Sequence, residues 1–303
     1  MAVLTKSSKK FHLQERESLA GYMFIAPSAV FLLVFLAIPI VASLVLIWTE
    51  YDMLTPPRFV GFANFARLFT DARLATVYRN TVFLVIGVTL LNNLLGFLLA
   101  LAVNRPMNKV LSYLFRTGLF LPVITTTVSM AVTWRFLLAS DRGVINWVLG
   151  TLGFDAVPWL ASSQLSLVAV MFYDVWKTCG HAMVLYLAGL QGIPEHLYEA
   201  ARVDGAGRWH LFRHVTLPLI TPTAFYVFVM YIIGAFQIFD NAVVLTGGGP
   251  GDSSRTIAMY IYEKAFRLYE MGYASTISLT LFALLVTLTL IQFVLGRKWV
   301  FYE

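Results

Sequence analysis

The chain has 303 residues, 59% of them hydrophobic and 13% charged, against roughly 45–50% and 25% in a soluble globular domain; its mean hydropathy is +0.75. That balance excludes a soluble fold and requires a bilayer, and the single cysteine, Cys179, excludes an internal disulfide framework and a multi-cysteine metal site. The formal charge of +6 is read as basic residues gathered at the ends of membrane helices, not as a nucleic-acid surface.

In chain order, Lys6, Lys9, Lys10 and Arg16 mark a cytoplasmic N-terminal segment, residues 1–17. The apolar run that follows, 18 to 49, is too long for a signal-peptide core of roughly 7–15 residues and is predicted to be a retained helix. A spanning helix needs about 20 mostly apolar residues. Runs at 80 to 104, 117 to 134, 214 to 239 and 271 to 296 meet that need, and a further one at about 165 to 190 carries Asp174 and Lys177. The fold class expected is an all-α membrane protein with six transmembrane helices. Lys and Arg lean toward the side that holds the N-terminus, which predicts both termini in the cytoplasm. Residues 18–75 then hold the first membrane helix and an external interfacial segment, and residues 76–303 form a five-helix core.

Within the external segment, Phe62, Phe65, Leu68 and Phe69 recur at helical spacing with Arg67 opposite, so a short helix is expected at the outer surface. Pro27, Pro39 and Pro122 lie inside spans and mark bends. Between the fourth and fifth spans, Pro194 opens a helix and Glu195 sits against its positive end. Gly205 breaks that helix, and residues 206 to 214 have the composition of a second one. From composition alone the module, residues 193–218, is either shaped to dock another protein or an ordinary amphipathic cytoplasmic connector.

Charges inside a membrane are costly, so Asp174 and Lys177 face protein or a water-filled path, where they either pair with each other or meet a solute. With His181 they fall at i, i+3 and i+7 on one helix face. Gly234, Gln237 and Asn241 repeat that spacing on the fifth span, with Tyr231 one turn earlier and Asp240 at the external end. Thr125, Thr126, Thr127 and Ser129 add hydroxyls from the third. These groups suit a neutral solute held by donors, acceptors and aromatic faces, although Ser, Thr and His also serve as packing elements. GGGPGDSS, 247 to 254, lacks the GK[ST] ending of a phosphate loop and reads as turn chemistry. No HExxH, GxSxG or cysteine pair offers a catalytic or metal site, so the chain is read as no enzyme.

EAARVDGAGRWHLFRHVTLP, 199 to 218, resembles the EAA loop of ATP-binding cassette (ABC) importer permeases. VGFANFARLF at 60 to 69, DVWKTCGHAMVLYLAGLQGIP at 174 to 194, and LTGGGPGDSSRTIAMYIYEKAF at 245 to 266 with GYAS at 272 to 275 resemble the carbohydrate branch, specifically its maltose-type larger permease subunit. The resemblance implies a type I ABC importer permease in a bacterial or archaeal plasma membrane. Glu199, Ala200, Ala201, Asp204 and Gly205 match its motif and would form its ATPase-coupling helix; for the substrate path the resemblance implies the region alone, and the residues read there from spacing and chemistry are Thr127, Asp174, Lys177, His181, Tyr231, Gly234, Gln237 and Asn241. It implies no cofactor in this chain, with ATP and Mg bound by a partner ABC ATPase dimer. The other implied partners are a homologous second permease, an extracytoplasmic solute-binding protein, a sugar or oligosaccharide, and the lipid bilayer. A polyol phosphate such as glycerol 3-phosphate is the alternative cargo. A proton-coupled secondary transporter using Asp174, Lys177 and His181 is the alternative mechanism.

Overall fold

The computed structural model describes residues 21–301; the N-terminal segment 1–17, the beginning of the first predicted span and both chain ends lie outside the described residues. Helix α1 (Gly21–Leu46) is followed by a two-residue antiparallel ladder, β1 (Thr49–Glu50) with β2 (Arg58–Phe59), in the register Thr49 to Phe59. Then come α2 (Ala63–Thr70), α3 (Ala72–Val103), α4 (Lys109–Ile124), α5 (Thr127–Leu137) and α6 (Val144–Thr151). The second half holds α7 (Ser166–Gln191), α8 (Glu195–Val203), α9 (Arg208–Leu219), α10 (Thr221–Phe236) and α11 (Asp240–Thr246). It ends with α12 (Ile257–Tyr262, extended by a wide turn over Glu263–Arg267) and α13 (Met271–Gly296).

Three helices, α1, α3 and α13, are long and apolar enough to cross a membrane, and the bent pairs α4/α5 and α9/α10 raise that number to five among the described residues. The 26 residues of α7 rise about 39 Å at 1.5 Å each, enough to cross, with Asp174 and Lys177 inside. Mostly helical architecture is thus as expected.

Asp71 starts α3: its side chain accepts from the backbone N–H groups of Arg73 (3.1 Å) and Leu74 (3.2 Å), satisfying two donors the helix cannot. Leu74, Val77, Thr81, Leu84, Val88, Asn92, Gly96, Ala100 and Val103 recur at steps of three and four along the buried face. That face packs on α7 in parallel, Gly87 meeting Met171 and Gly96 meeting Ala182. A side-chain carbon at Gly96 would lie 3.0 Å from the Ala182 carbonyl carbon, so the glycine lets the two backbones approach as small residues do between membrane helices. Around this pair, Leu84, Val88, Val170, Tyr173, Met183, Phe236 and Leu245 form the main core. A smaller outer core joins Leu74, Val77, Ile257, Tyr260, Tyr273 and Ile277. No residue of α1's apolar window is buried by this chain.

Two spans differ from their predicted form. The run from 117 to 134 is not one straight helix: α4 starts eight residues earlier, at Lys109, and α5 leaves it at 98°. Pro122 cannot continue the backbone ladder, and Thr125, at φ −77° and ψ 152°, is extended. The fifth span also breaks. It bends by 55° between α9 and α10 and stops at Gln237, so Asn241 belongs to the next helix. The spacing of Gly234, Gln237 and Asn241 therefore does not define one helix face.

Candidate functional site

The segment 193–218 folds as the predicted helix, sharp turn and helix. Pro194 precedes α8, and Gly205 takes φ +82°, a backbone state in which a Cβ is penalised. The Gly205 N–H donates to the Arg202 carbonyl (3.0 Å) and the Ala206 N–H to the Ala201 carbonyl (2.9 Å). This pair of bonds closes a Schellman C-cap and turns the chain sharply into α9. Tyr198 holds α8 to α9 through a 3.0 Å bond with Thr216, and Phe212 stacks on Phe97 of α3 at 6.3 Å between ring centres. Glu199, Ala200, Asp204 and Gly205 are exposed, with Ala201 half-buried. Ala201, Asp204, Gly205, Ala206, Gly207 and His210 line a hollow of about 270 Å³. Val203, next to this lining in the chain and 87% exposed, is an apolar side chain that sequence reasoning passed over. Its signal was available: a lone valine in an otherwise polar helix turn.

Inside the membrane region, the predicted path residues divide. Asp174 and Lys177 are both buried, but they turn to different partners. Asp174 accepts a hydrogen bond from the Asn241 amide at the head of α11. The Lys177 ammonium donates to the carbonyls of Pro122 (3.0 Å) and Thr125 (2.8 Å), two of those at the break between α4 and α5, where the last carbonyls of a helix lack ladder partners. One helix, α7, thereby fastens a broken span on each side.

Tyr231 is also committed, its hydroxyl donating to the Thr178 carbonyl at 2.7 Å, and the Thr127 carbonyl accepts from Tyr173 at 2.7 Å. His181, Gly234 and Gln237 are left open to the outside of this chain. The His181 ring lies 6.5 Å from that of Tyr231, and the space beside Gly234 is empty. Two amides that sequence reasoning passed over, Asn92 and Asn93, tie α3 to α7 by accepting from Thr178 (3.1 Å) and Tyr186 (2.7 Å). Side-chain amides in an otherwise charge-free run were the sign.

At the opposite end of the core, the glycine-rich turn is bound tightly. Asp252 takes Arg73 at 2.8 Å and also Arg255, Glu263 takes Arg73 at 3.1 Å and also Arg255, and Glu270 takes Arg67 (2.7 Å) and Lys264 (2.9 Å). The Asn80 amide donates to the Asp252 carbonyl at 2.8 Å, and Asp71 accepts from the hydroxyls of Tyr260 (2.6 Å) and Tyr273 (2.7 Å). The Arg73 hydrogen bond holds the Asp252 carboxyl below the usual carboxylate range despite its partial burial. Burial pushes Glu270 up, but Arg67 and Lys264 outweigh it and hold it low. The segment 247 to 254 forms turns, as predicted, and adds Asp252 to an ion network with Arg73, Arg255 and Glu263.

The family described as the binding-protein-dependent transport system inner membrane component matches residues 92–300. The chain is 36% identical to the probable ABC transporter permease protein YesP of Bacillus subtilis (strain 168), over 97% of this chain and 96% of that one. It is 31% identical to the trehalose/maltose transport system permease protein MalF of Thermococcus litoralis, over 94% and 96%. A chain of a bacterial alginate ABC transporter, solved with an alginate pentasaccharide-bound periplasmic protein, superposes with a TM-score of 0.84 at 25% identity, covering 94% of this chain and 96% of its own.

Proposed function

We propose, on the premise that this chain belongs to the family of binding-protein-dependent transport system inner membrane components, that it carries a neutral sugar or oligosaccharide across the plasma membrane of a bacterium or archaeon. As an ABC transporter permease it is a membrane component and not an enzyme. Six spans, with α7 as the one that carries buried charges and both termini in the cytoplasm, complete the reading. A homologous second permease and an ABC ATPase dimer, which binds ATP and Mg, assemble with it. A solute-binding protein delivers the cargo from outside.

In this reading Glu199, Ala200, Ala201, Asp204 and Gly205 seat in the ATPase, and exposed Val203 adds apolar contact. The close stacking of Phe212 on Phe97 gives a path by which movement of the loop reaches α3. His181, Gly234 and Gln237 meet the solute, because their polar groups and open space face away from this chain's own core. Asp174, Asn241, Lys177, Tyr231 and Thr127 position the surrounding helices.

The observation that carries the cargo class is the commitment of Lys177 to two carbonyls, which leaves no spare cation for a phosphate among the described residues read into the path. A polyol phosphate is accordingly the weaker candidate. The test is ATP hydrolysis by the complex, isolated through a tag on this chain and reconstituted with its binding protein, against neutral sugars, glycosides and polyol phosphates. Stimulation by one neutral sugar class is expected. Stimulation by a phosphate ester alone would overturn the cargo, and absence of any co-isolated ATPase would overturn the coupling assignment.

A further inference from the structure

The turn between α3 and α4 holds a concavity of about 340 Å³ that nothing above uses. Arg105, Lys109, Ser112, Tyr113 and Arg116 line it, with no acidic residue among the lining groups. Lys109, Ser112, Tyr113 and Arg116 stand at i, i+3, i+4 and i+7 of α4, one face of the helix, and Arg105 approaches from the turn. None of the three cations enters an ion pair among the described residues. Because α3 and α7 run parallel, this end of the core is the end that carries the 193–218 loop.

The row of cations has depth. From Lys109 to Arg116 the helix rises about 10 Å, more than the thickness of one headgroup layer, roughly 5–8 Å. Arg116 thus stands beside apolar neighbours, and Val110, Leu111 and Leu114 on the adjoining face are 47% exposed or more. Cations and hydroxyl donors converge on one hollow, and an apolar strip leads from it along the same helix. Phosphate chemistry satisfies the hollow, but only an amphiphile also satisfies the strip.

We propose that Arg105, Lys109 and Arg116, with Ser112 and Tyr113, form a binding site for the phosphate headgroup of an anionic phospholipid, whose acyl chains lie along Val110, Leu111 and Leu114. Basic pockets between spanning helices on the cytoplasmic side bind such headgroups, with roughly 1 kcal/mol from each cation near an anionic surface. The lipid holds the α3–α4 turn from the side of the docking loop. The inference rests on the membrane reading and on the loop end being cytoplasmic, but not on the cargo.

The whole transporter, isolated with its partner subunits, is placed in nanodiscs of equimolar phosphatidylglycerol and phosphatidylcholine, transferred to mild detergent, and weighed by native mass spectrometry. Retained phosphatidylglycerol in preference to phosphatidylcholine is expected. Replacing all three cations (R105Q, K109Q and R116Q together) lowers that retention on the order of 100-fold, the product of about fivefold for each charge. The charge-keeping set R105K, K109R and R116K retains it. Equal retention by wild type and the glutamine variant overturns the site. Displacement of the lipid by inorganic phosphate alone overturns the lipid source. Loss of the ATPase from the glutamine variant, with its lipid intact, assigns these cations to a protein contact instead and also overturns it. Nanodiscs expose both faces, so a wrong assignment of sidedness leaves this result unchanged and is detected separately by labelling the loop in sealed cells.

Discussion

Replacing Lys177 with methionine keeps the length of the side chain and removes its charge and its donors. The bonds lost run to Pro122 (3.0 Å) and Thr125 (2.8 Å), and hydrogen bonds from a charged group contribute about 1.5–3 kcal/mol each. Against that loss of about 3–6 kcal/mol stands the relief of no longer holding a lysine in the membrane, about 2.5–3.5 kcal/mol. Pro122 also keeps a second donor, the Thr125 hydroxyl at 2.6 Å. At the midpoints of these ranges the net expectation is a destabilisation of about 1.5 kcal/mol, centred on the break between α4 and α5. Two assays read it. The apparent melting temperature of the assembled transporter falls, and maximal solute-stimulated ATP hydrolysis falls several-fold while the solute concentration giving half-maximal stimulation stays within about twofold. Lys177→Arg, which keeps a charge and several donors, restores part of both. A Lys177→Met transporter that melts like wild type but needs tenfold more solute would refute the reasoning, because it would make the ammonium a solute ligand and the carbonyl bonds incidental.

Three further outcomes follow from the same geometry. Gly205→Val weakens ATPase attachment about five- to thirtyfold, since φ +82° costs an ordinary residue roughly 1–2 kcal/mol and a β-branched one at least as much; Gly205→Asn is milder. Open space around that position removes crowding as the cause, so equal ATPase recovery with valine would count against the turn. Gln237→Ala raises the solute concentration needed for half-maximal transport and leaves the amount of co-isolated ATPase unchanged; unaltered uptake at limiting solute removes Gln237 from the path. The outer ion network has an acid limit: with Asp252 and Glu270 both held low, its contribution is complete above the ordinary carboxylate range near pH 4 and fades as pH drops through the lowered folded values. Hydrogen-exchange protection of residues 247–256 should therefore be flat from pH 7 to about 5 once intrinsic exchange rates are removed. A loss of protection already near pH 6 would point to another titrating group.

What the sequence makes legible here is whatever lies within a turn or two along the chain. The aromatic spacing of 62–69 becomes α2, and Pro194, Gly205 and the short run after it become a helix, a capped turn and a helix, because each signal is local backbone chemistry. The break at Thr125 is only partly local. Pro122 marks a bend in the sequence, but the group that secures the broken ends, Lys177, is 52 residues away. The same distance hides the outer network, whose pairs include Arg67 with Glu270, 203 residues apart. Charges scattered through a sequence say that partners are needed, and only the packing of helices says which. The face shared by Asp174, Lys177 and His181 was read correctly as spacing. Burial then separated them, two inward and one outward, because the neighbouring helices cover only part of that face.

Among the described residues, helix α1 is hydrogen-bonded to the rest of the chain at its base. Asn64 bonds the carbonyls of Ile47 (3.0 Å) and Thr49 (3.0 Å), and the Met271 N–H reaches the Tyr51 carbonyl at 3.0 Å, joining the foot of α1 to the start of α13. The Asn64 bonds are local, whereas Met271 and Tyr51 are separated by most of the polypeptide. During synthesis α1 leaves the ribosome well before α13 exists, and nothing in the intervening core buries its apolar window. Closure of the protein around the foot of α1 therefore waits for α13, and a variant that loses the contact between Met271 and Tyr51 should expose α1 to membrane proteolysis.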